Sequence, residues 1–181
     1  MKDDQKDFAP EVLLRLGGAV CDCQVVELLM HGSLLCLKRS GLKYCVEDFF
    51  SDDPNKRGPT LGELRRALEE VAKLPSGVET RFENFVKLRN RVIHRLFTEQ
   101  SAIQLQTAET ARAKLDLIEK LTGECRYFHD LFLGVLAHFP RSDPGEDELG
   151  TEIRQIYALA DSLRPKGEVI IAAVVEAQNG E

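Results

Sequence analysis

The stretch from Phe82 to Phe97 reads FENFVKLRNRVIHRLF, and the interpretation of the whole chain starts from it. At about 100° per residue, its apolar side chains fall on an arc about 180° wide, which predicts an amphipathic helix. Arg89 falls near the middle of that arc, where a guanidinium is costly unless it is paired or lies in a polar cleft. A break of this kind in a local pattern is typical of a functional or strained site.

The same stretch is locally basic within an acidic protein. Five basic residues and one acidic residue lie from Arg81 to Arg95, whereas the 181-residue chain has a formal net charge of −6. From Pro140 to the end, nine acidic residues oppose four basic ones. The overall acidity argues against a general nucleic-acid coat protein. The basic stretch fits either a confined site for a polyanion or a solvated helix face.

Composition places the chain among ordinary globular proteins with one substantial core. The first residues are charged and lack the apolar run of a signal peptide, and no run approaches the ~20 apolar residues of a membrane span. We therefore predict a cytoplasmic protein without membrane association. The five cysteines show no metal-knuckle spacing, which favours buried, reduced thiols. Cys21 and Cys23 would point in different directions on a helix.

Upstream of the central stretch, the pattern predicts two further helices. The first follows Pro10 and runs to about Arg39, with a potential break at Gly17-Gly18. Its second half is apolar nearly all round and has one narrow polar stripe that contains Glu27 and His31, which is typical of a buried central helix. After a long loop at 40–59, a second helix begins with a capping box at residues 60–63.

Downstream, the pattern stays helical. Ser76 is the predicted N-cap of the helix that carries Arg89. Apolar positions from 101 to 139 recur about every 3.4 residues, with a potential break at Gly123. Helices are then predicted from Asp147 to about Leu163 and at 167–176. We therefore predict an all-α, up-and-down bundle, with residues 1–140 as the bundle and residues 141–181 as a helical extension packed on it.

Arg89-Asn90, followed after three residues by His94 near the end of an amphipathic helix, resembles the signature of HEPN domains. That signature is an Arg, usually followed by a polar residue, and then a His after four to six positions. The four-residue form is present here, with the favoured Asn. The two preceding helices also resemble the HEPN arrangement, and the resemblance covers roughly residues 19–139.

The resemblance implies a bundle that pairs through the motif helix as a two-fold homodimer, so that two Arg/His sets meet in one cleft. HEPN proteins are commonly ribonucleases of toxin–antitoxin, phage-defence and RNA-processing systems. Cleavage of RNA through the 2′-hydroxyl would leave 2′,3′-cyclic phosphate ends without a metal or another cofactor. The resemblance therefore also implies that RNA is the substrate.

The chemistry of the motif residues suits this activity. An Arg fork can hold a phosphate and stabilise its developing charge, and a neutral imidazole can take or give a proton at ribose oxygens. Arg89 is thus the expected phosphate clamp, His94 the acid and base, and Asn90 a positioning residue. The predicted substrate-binding residues are Lys87, Arg91 and Arg95.

One position departs from the family pattern. Toxins that are silenced by a partner nucleotidyltransferase carry a tyrosine two residues after the histidine, and this chain has Leu96 there. Control by modification of that tyrosine is therefore in doubt, whereas a separate antitoxin remains compatible with the sequence.

The main alternative is a non-catalytic HEPN scaffold or regulator that binds a protein partner or a nucleotide. In that case Arg89 would pair with an acid of the central helix, either Asp22 or Glu27. Burial of Arg89 against an acid, with His94 exposed on a lone protomer, would favour this alternative. A shared, positive dimer cleft would favour the enzyme. A helical transcriptional regulator is less well supported, because no basic recognition helix is apparent.

Overall fold

The computed structural model describes residues 8–38, 60–96, 107–143 and 148–179 of the chain. Within these ranges the protein is helical and contains no β-strand, which confirms the predicted all-α class. The α-helices are α1 (Ala9–Lys38), α2 (Leu61–Val71), α3 (Ser76–Asn90), α4 (Ala108–Leu136) and α5 (Glu148–Asn179). A five-residue π-helical turn, Arg91–Arg95, continues α3. The predicted loop at 40–59 lies outside the described residues.

The start of α2 is the predicted capping box. The Thr60 side chain accepts a hydrogen bond from the backbone N–H of Glu63 at 3.3 Å, and the Glu63 carboxylate accepts one from the backbone N–H of Thr60 at 2.7 Å. The predicted cap of α3 is wrong, because Pro75 is the N-cap residue and no side chain caps that helix. Ser76 is already its first helical residue.

The predicted glycine breaks are also wrong. Helix α1 runs unbroken through Gly17-Gly18, and α4 runs unbroken through Gly123. A Cβ added at any of these three glycines would meet nothing within 4 Å. Each glycine costs about 1 kcal/mol relative to alanine in a helix, which burial along a helix of about 30 residues readily offsets.

Helix α5 joins two segments that the sequence pattern had separated. A single helix covers Glu148–Asn179 with Pro165 inside it. The proline removes one backbone donor, but the segment beyond it is held against α4: Gly167 lies directly on the α4 backbone, and Ile170 and Ala173 enter the main core. Tertiary packing therefore outweighs the local helix-breaking signal.

Residues of all five α-helices form the main core, and its aromatic centre lies between α3 and α4. Phe85 of α3 stacks on Phe128 of α4 with ring centroids 4.8 Å apart, whereas the Phe82 ring is tilted against Phe128 at 5.0 Å, and Phe132 adds a fourth ring. All four rings are buried, as is Val26 of α1. Pairs of this kind contribute about 1 kcal/mol beyond their buried area. They fix the buried face of α3 and so determine where the end of that helix projects.

Candidate active site at the end of the third helix

The π-helical turn brings Arg89 and His94 together. Residues five apart are rotated by about 140° on an α-helix, so an α-helical continuation would place these two side chains on different faces. In a π-helical turn each backbone N–H reaches five residues back, so residues five apart come close together. Arg89 Nη1 lies 3.1 Å from His94 Nε2. Single π-helical turns are frequent at functional sites.

The contact defines the tautomer of the histidine. An arginine N–H can only donate, so Nε2 of His94 accepts and the ring proton resides on Nδ1. Such a neutral imidazole can accept a proton on Nε2 once the guanidinium moves away from it. His94 is exposed, so a substrate can reach this nitrogen.

The other arm of the guanidinium is held by α1. Arg89 Nη2 donates to Glu27 Oε1 at 3.0 Å, with 23% of the Arg89 side chain and 22% of the Glu27 side chain exposed. Of the two acidic partners considered from the sequence, Asp22 and Glu27, this ion pair uses Glu27. The Nε atom of Arg89 is buried without a hydrogen-bond partner. The ion pair therefore fixes the plane of the guanidinium while part of its donor capacity stays uncommitted.

Asn90 contacts the arginine. Its Oδ1 accepts a hydrogen bond from Arg89 Nη1 at 3.3 Å. Asn90 and His94 therefore contact the same nitrogen of the Arg89 guanidinium.

The predicted substrate-binding residues surround this centre on the surface. Lys87, Arg91 and Arg95 are all exposed, and Lys87 Nζ lies 3.6 Å from a Glu83 carboxylate oxygen. Weak exposed pairs of this kind exchange readily with another anion.

Helix α4 adds a contact that sequence reasoning missed. Lys114 Nζ donates to the backbone carbonyl of Leu96, directly after the π-helical turn. A cation at the C-terminal end of a helix interacts favourably with its last carbonyls. Nothing in the sequence pattern singles Lys114 out, because the contact joins residues 18 positions apart through the tertiary fold.

Three further histidines, His31, His129 and His138, lie among the described residues. His129 and His138, expected at the core or its boundary, are both partly buried and bond to Asp130 Oδ1 and to the Arg164 carbonyl at 3.2 Å each. Glu27 bonds to Arg89, so the polar stripe of α1 contributes an acid to the site. His31 of the same stripe is partly buried.

A cleft of about 740 Å³ lies beside this centre, between α3 and α4. Thr80, Asn84 and Lys120 contribute polar groups to its lining, whereas neither Arg89 nor His94 lines it.

In the part of the chain that the structure describes, no cluster of three or more His, Cys, Asp or Glu side chains is arranged to hold a metal ion. No helix within the same residues has the length and apolar character needed to cross a membrane. No protein-family model, curated protein or solved structure matches the chain significantly.

Proposed function

We propose that this chain is a metal-independent endoribonuclease of HEPN type whose reactive centre is Arg89 with His94. The observation that carries the proposal is the 3.1 Å contact between Arg89 Nη1 and His94 Nε2 on an exposed surface. A charged fork beside a neutral imidazole is the pair of groups that phosphodiester cleavage through a 2′-hydroxyl requires.

In the proposed mechanism, Glu27 keeps one arm of the guanidinium fixed while the other changes partner. An RNA phosphate takes the hydrogen bond from Nη1, which frees Nε2 of His94 to accept the proton of the ribose 2′-hydroxyl. The 2′-oxygen attacks phosphorus, the 5′-oxygen leaves with a proton, and a 2′,3′-cyclic phosphate remains. Arg89 stabilises the charge that develops on the phosphoryl oxygens.

A second copy of the chain completes the proposed site. Pairing of two protomers through the motif helix, as in HEPN proteins, would supply a second His94 as the acid for the leaving oxygen. Lys87, Arg91 and Arg95 would extend the phosphate contacts along the strand. A toxin–antitoxin or phage-defence role in the cytoplasm, with an antitoxin as partner, is part of the same proposal.

Cleavage of a mixed RNA pool by the purified chain in excess EDTA tests the proposal. We expect fragments with cyclic phosphate ends by mass spectrometry. Arg89→Ala and His94→Ala should each reduce the rate roughly 100-fold or more. Arg112→Ala is the matched control, because Arg112 is an exposed arginine of α4 that pairs with its helical neighbour Asp116. Cleavage that survives His94→Ala would refute the assignment.

A non-catalytic scaffold is the second candidate, and one observation favours it. Arg89 is paired with Glu27 and about three-quarters buried, while His94 is exposed on a single protomer. If the guanidinium only joins α3 to α1, Arg89→Ala should lower stability and no RNA should be cleaved at any protein concentration. The surface would then bind a protein partner or a nucleotide.

A further inference from the structure

Two buried cysteines face each other between α1 and α4. Cys23 Sγ lies 3.5 Å from Cys125 Sγ, although the residues are 102 positions apart in the chain. Cys23 is 3% exposed and Cys125 2% exposed. Cys21, two positions before Cys23, points in a different direction and is exposed, so the prediction of buried thiols is wrong for this cysteine. Only small movements separate the two buried sulfur atoms from the ~2.05 Å of a disulfide bond.

The two thiols differ in how readily they lose a proton. The hydrogen bond from the Cys125 thiol lowers the pKa of Cys23, burial opposes this, and the Arg89 charge lowers that pKa further. The same hydrogen bond, together with burial, raises the pKa of Cys125. The hydrogen bond from Cys125 thus favours the thiolate form of Cys23, and the thiolate is the reactive form of a cysteine.

A cavity reaches the pair from the side of Cys125. It has a volume of about 290 Å³ and lies between α1 and α4, with Cys125 in its wall. Asp22, Arg126 and His129 also line it and make its wall partly polar. A hydroperoxide is small enough to enter a space of this size and can hydrogen-bond to such groups.

We propose that Cys23 and Cys125 are a reversible oxidation site that a hydroperoxide converts to an intramolecular disulfide. The Cys23 thiolate attacks the terminal peroxide oxygen and the O–O bond breaks. The other oxygen leaves as hydroxide or, from an organic hydroperoxide, as alkoxide, and takes up a proton to give water or an alcohol. Cys125 sulfur then attacks the resulting sulfenic acid, and its hydroxyl leaves as water with the Cys125 proton. Two thiols are oxidised by two electrons, and one peroxide is reduced.

The site is adjacent to the Arg–His centre through α1. Cys23 lies one helical turn before Glu27, the residue that holds Arg89. The disulfide would join α1 to α4 and remove the thiolate from the surroundings of the guanidinium. Reduction by a dithiol would restore both. The inference does not rest on the proposed ribonuclease activity, because the thiol geometry carries it alone.

Mass spectrometry of the full chain after graded hydrogen peroxide tests the proposal. Remaining thiols are alkylated and the protein is digested with trypsin without reduction. We expect peptide 16–38 linked to peptide 121–126, with fragmentation assigning the bond to Cys23 and Cys125. The link should disappear after dithiothreitol. The melting temperature of the oxidised protein should rise by roughly 4–16 °C, because the bridge closes a loop of about 100 residues.

Matched variants separate this pair from other thiols. Cys21→Ala should retain the linked peptides, whereas Cys125→Ala should lose them. The wild-type digest decides the question even if Cys125→Ala fails to fold. Oxidation that stops at sulfinic acid, or a bridge that uses another cysteine, would overturn the proposal. So would the absence of the link at peroxide concentrations that oxidise Cys21.

Discussion

The end of α3 and the crossing of α4 with α5 are held together by different kinds of contact. At the end of α3, side-chain hydrogen bonds of 3.0–3.3 Å join Arg89 to Glu27, Asn90 and His94. At the crossing, backbone meets backbone: a Cβ on Gly134 would lie 2.3 Å from the Leu163 carbonyl oxygen. The first region can exchange partners without moving helices. The second has no room for one added methyl group, so chemistry and fold depend on different parts of the molecule.

A charged pair, Arg141 with Asp161, joins the segment that follows α4 to α5. Arg141 donates to Asp161 through both terminal nitrogens, at 2.7 and 3.1 Å, and its guanidinium lies 4.8 Å from the Tyr157 ring centroid. Here 14% of the Arg141 side chain is exposed and 52% of that of Asp161. The Arg141 hydrogen bonds hold the pKa of Asp161 below its usual range. This pair supports packing, whereas the Arg89–Glu27 pair orients a reactive group.

The largest expected effect comes from Gly134→Ala. The new methyl group would collide with the Leu163 carbonyl at 2.3 Å and with the Gly167 nitrogen at 2.9 Å, and backbone atoms cannot turn aside. We expect a loss of about 3 kcal/mol or more in the free energy of unfolding, measured by urea denaturation. Gly123→Ala is the control: nothing lies within 4 Å of its Cβ, so stability should rise by up to about 1 kcal/mol. Equal behaviour of the two variants would contradict the described crossing.

Glu27→Gln should have an intermediate effect. It removes the charge that holds Arg89 while keeping the shape of the side chain, and both partners are about three-quarters buried. We expect roughly 1–2 kcal/mol of destabilisation. If the chain cleaves RNA, the rate should fall roughly 10- to 100-fold through misplacement of the guanidinium.

Glu83→Gln is the matched control for that variant. The Glu83 side chain is 41% exposed, against 22% for Glu27, and it pairs with the partly buried Arg65 and the exposed Lys87. Its loss should therefore cost about 1 kcal/mol or less and leave Arg89 in place. If the Glu27→Gln protein is as stable and as active as the control, the Glu27–Arg89 pair neither orients the guanidinium nor stabilises the fold.

Asp161→Asn should have the smallest effect, and the effect should depend on pH. Because the folded-state pKa of Asp161 is lowered, its stabilising contribution is present above the ordinary aspartate pKa of about 3.9. The contribution is lost as the pH falls through the lowered value. At pH 7 the exposed carboxylate should contribute less than about 1 kcal/mol. Urea denaturation from pH 7 to pH 2 should therefore show two stability curves that converge in acid. A constant difference would contradict this origin.

The start of α2 and the buried face of α3 could be predicted from sequence, because the residues that determine them lie close together in the chain. The capping box of α2 needs only residues 60–63, and the apolar arc of α3 needs only the 3.6-residue repeat. The sequence of α1 likewise offered Asp22 and Glu27 as candidate partners for Arg89, and the ion pair uses Glu27. Each of these predictions agrees with the described residues.

The remainder depends on contacts between distant residues. Nothing within residues 160–170 indicates that the helix continues through Pro165, because the packing of Gly167 on α4 outweighs the missing backbone donor. The π-helical turn has no side-chain signature, so a helical wheel drawn at a constant 100° per residue places Arg89 and His94 on different faces and misses their contact. The Cys23–Cys125 contact is equally invisible, since the two residues belong to different helices.

The π-helical turn also affects how this site tolerates changes in chain length. Relative to an α-helix, the turn from Arg91 to Arg95 accommodates one surplus residue. Loss of one residue between Arg89 and His94 would allow the segment to wind as an α-helix, and the arginine and histidine would then be four apart and still neighbours. The contact between Arg89 and His94, placed across this turn, can therefore withstand a single-residue deletion. The contact depends on the directions of the two side chains more than on the exact number of residues between them.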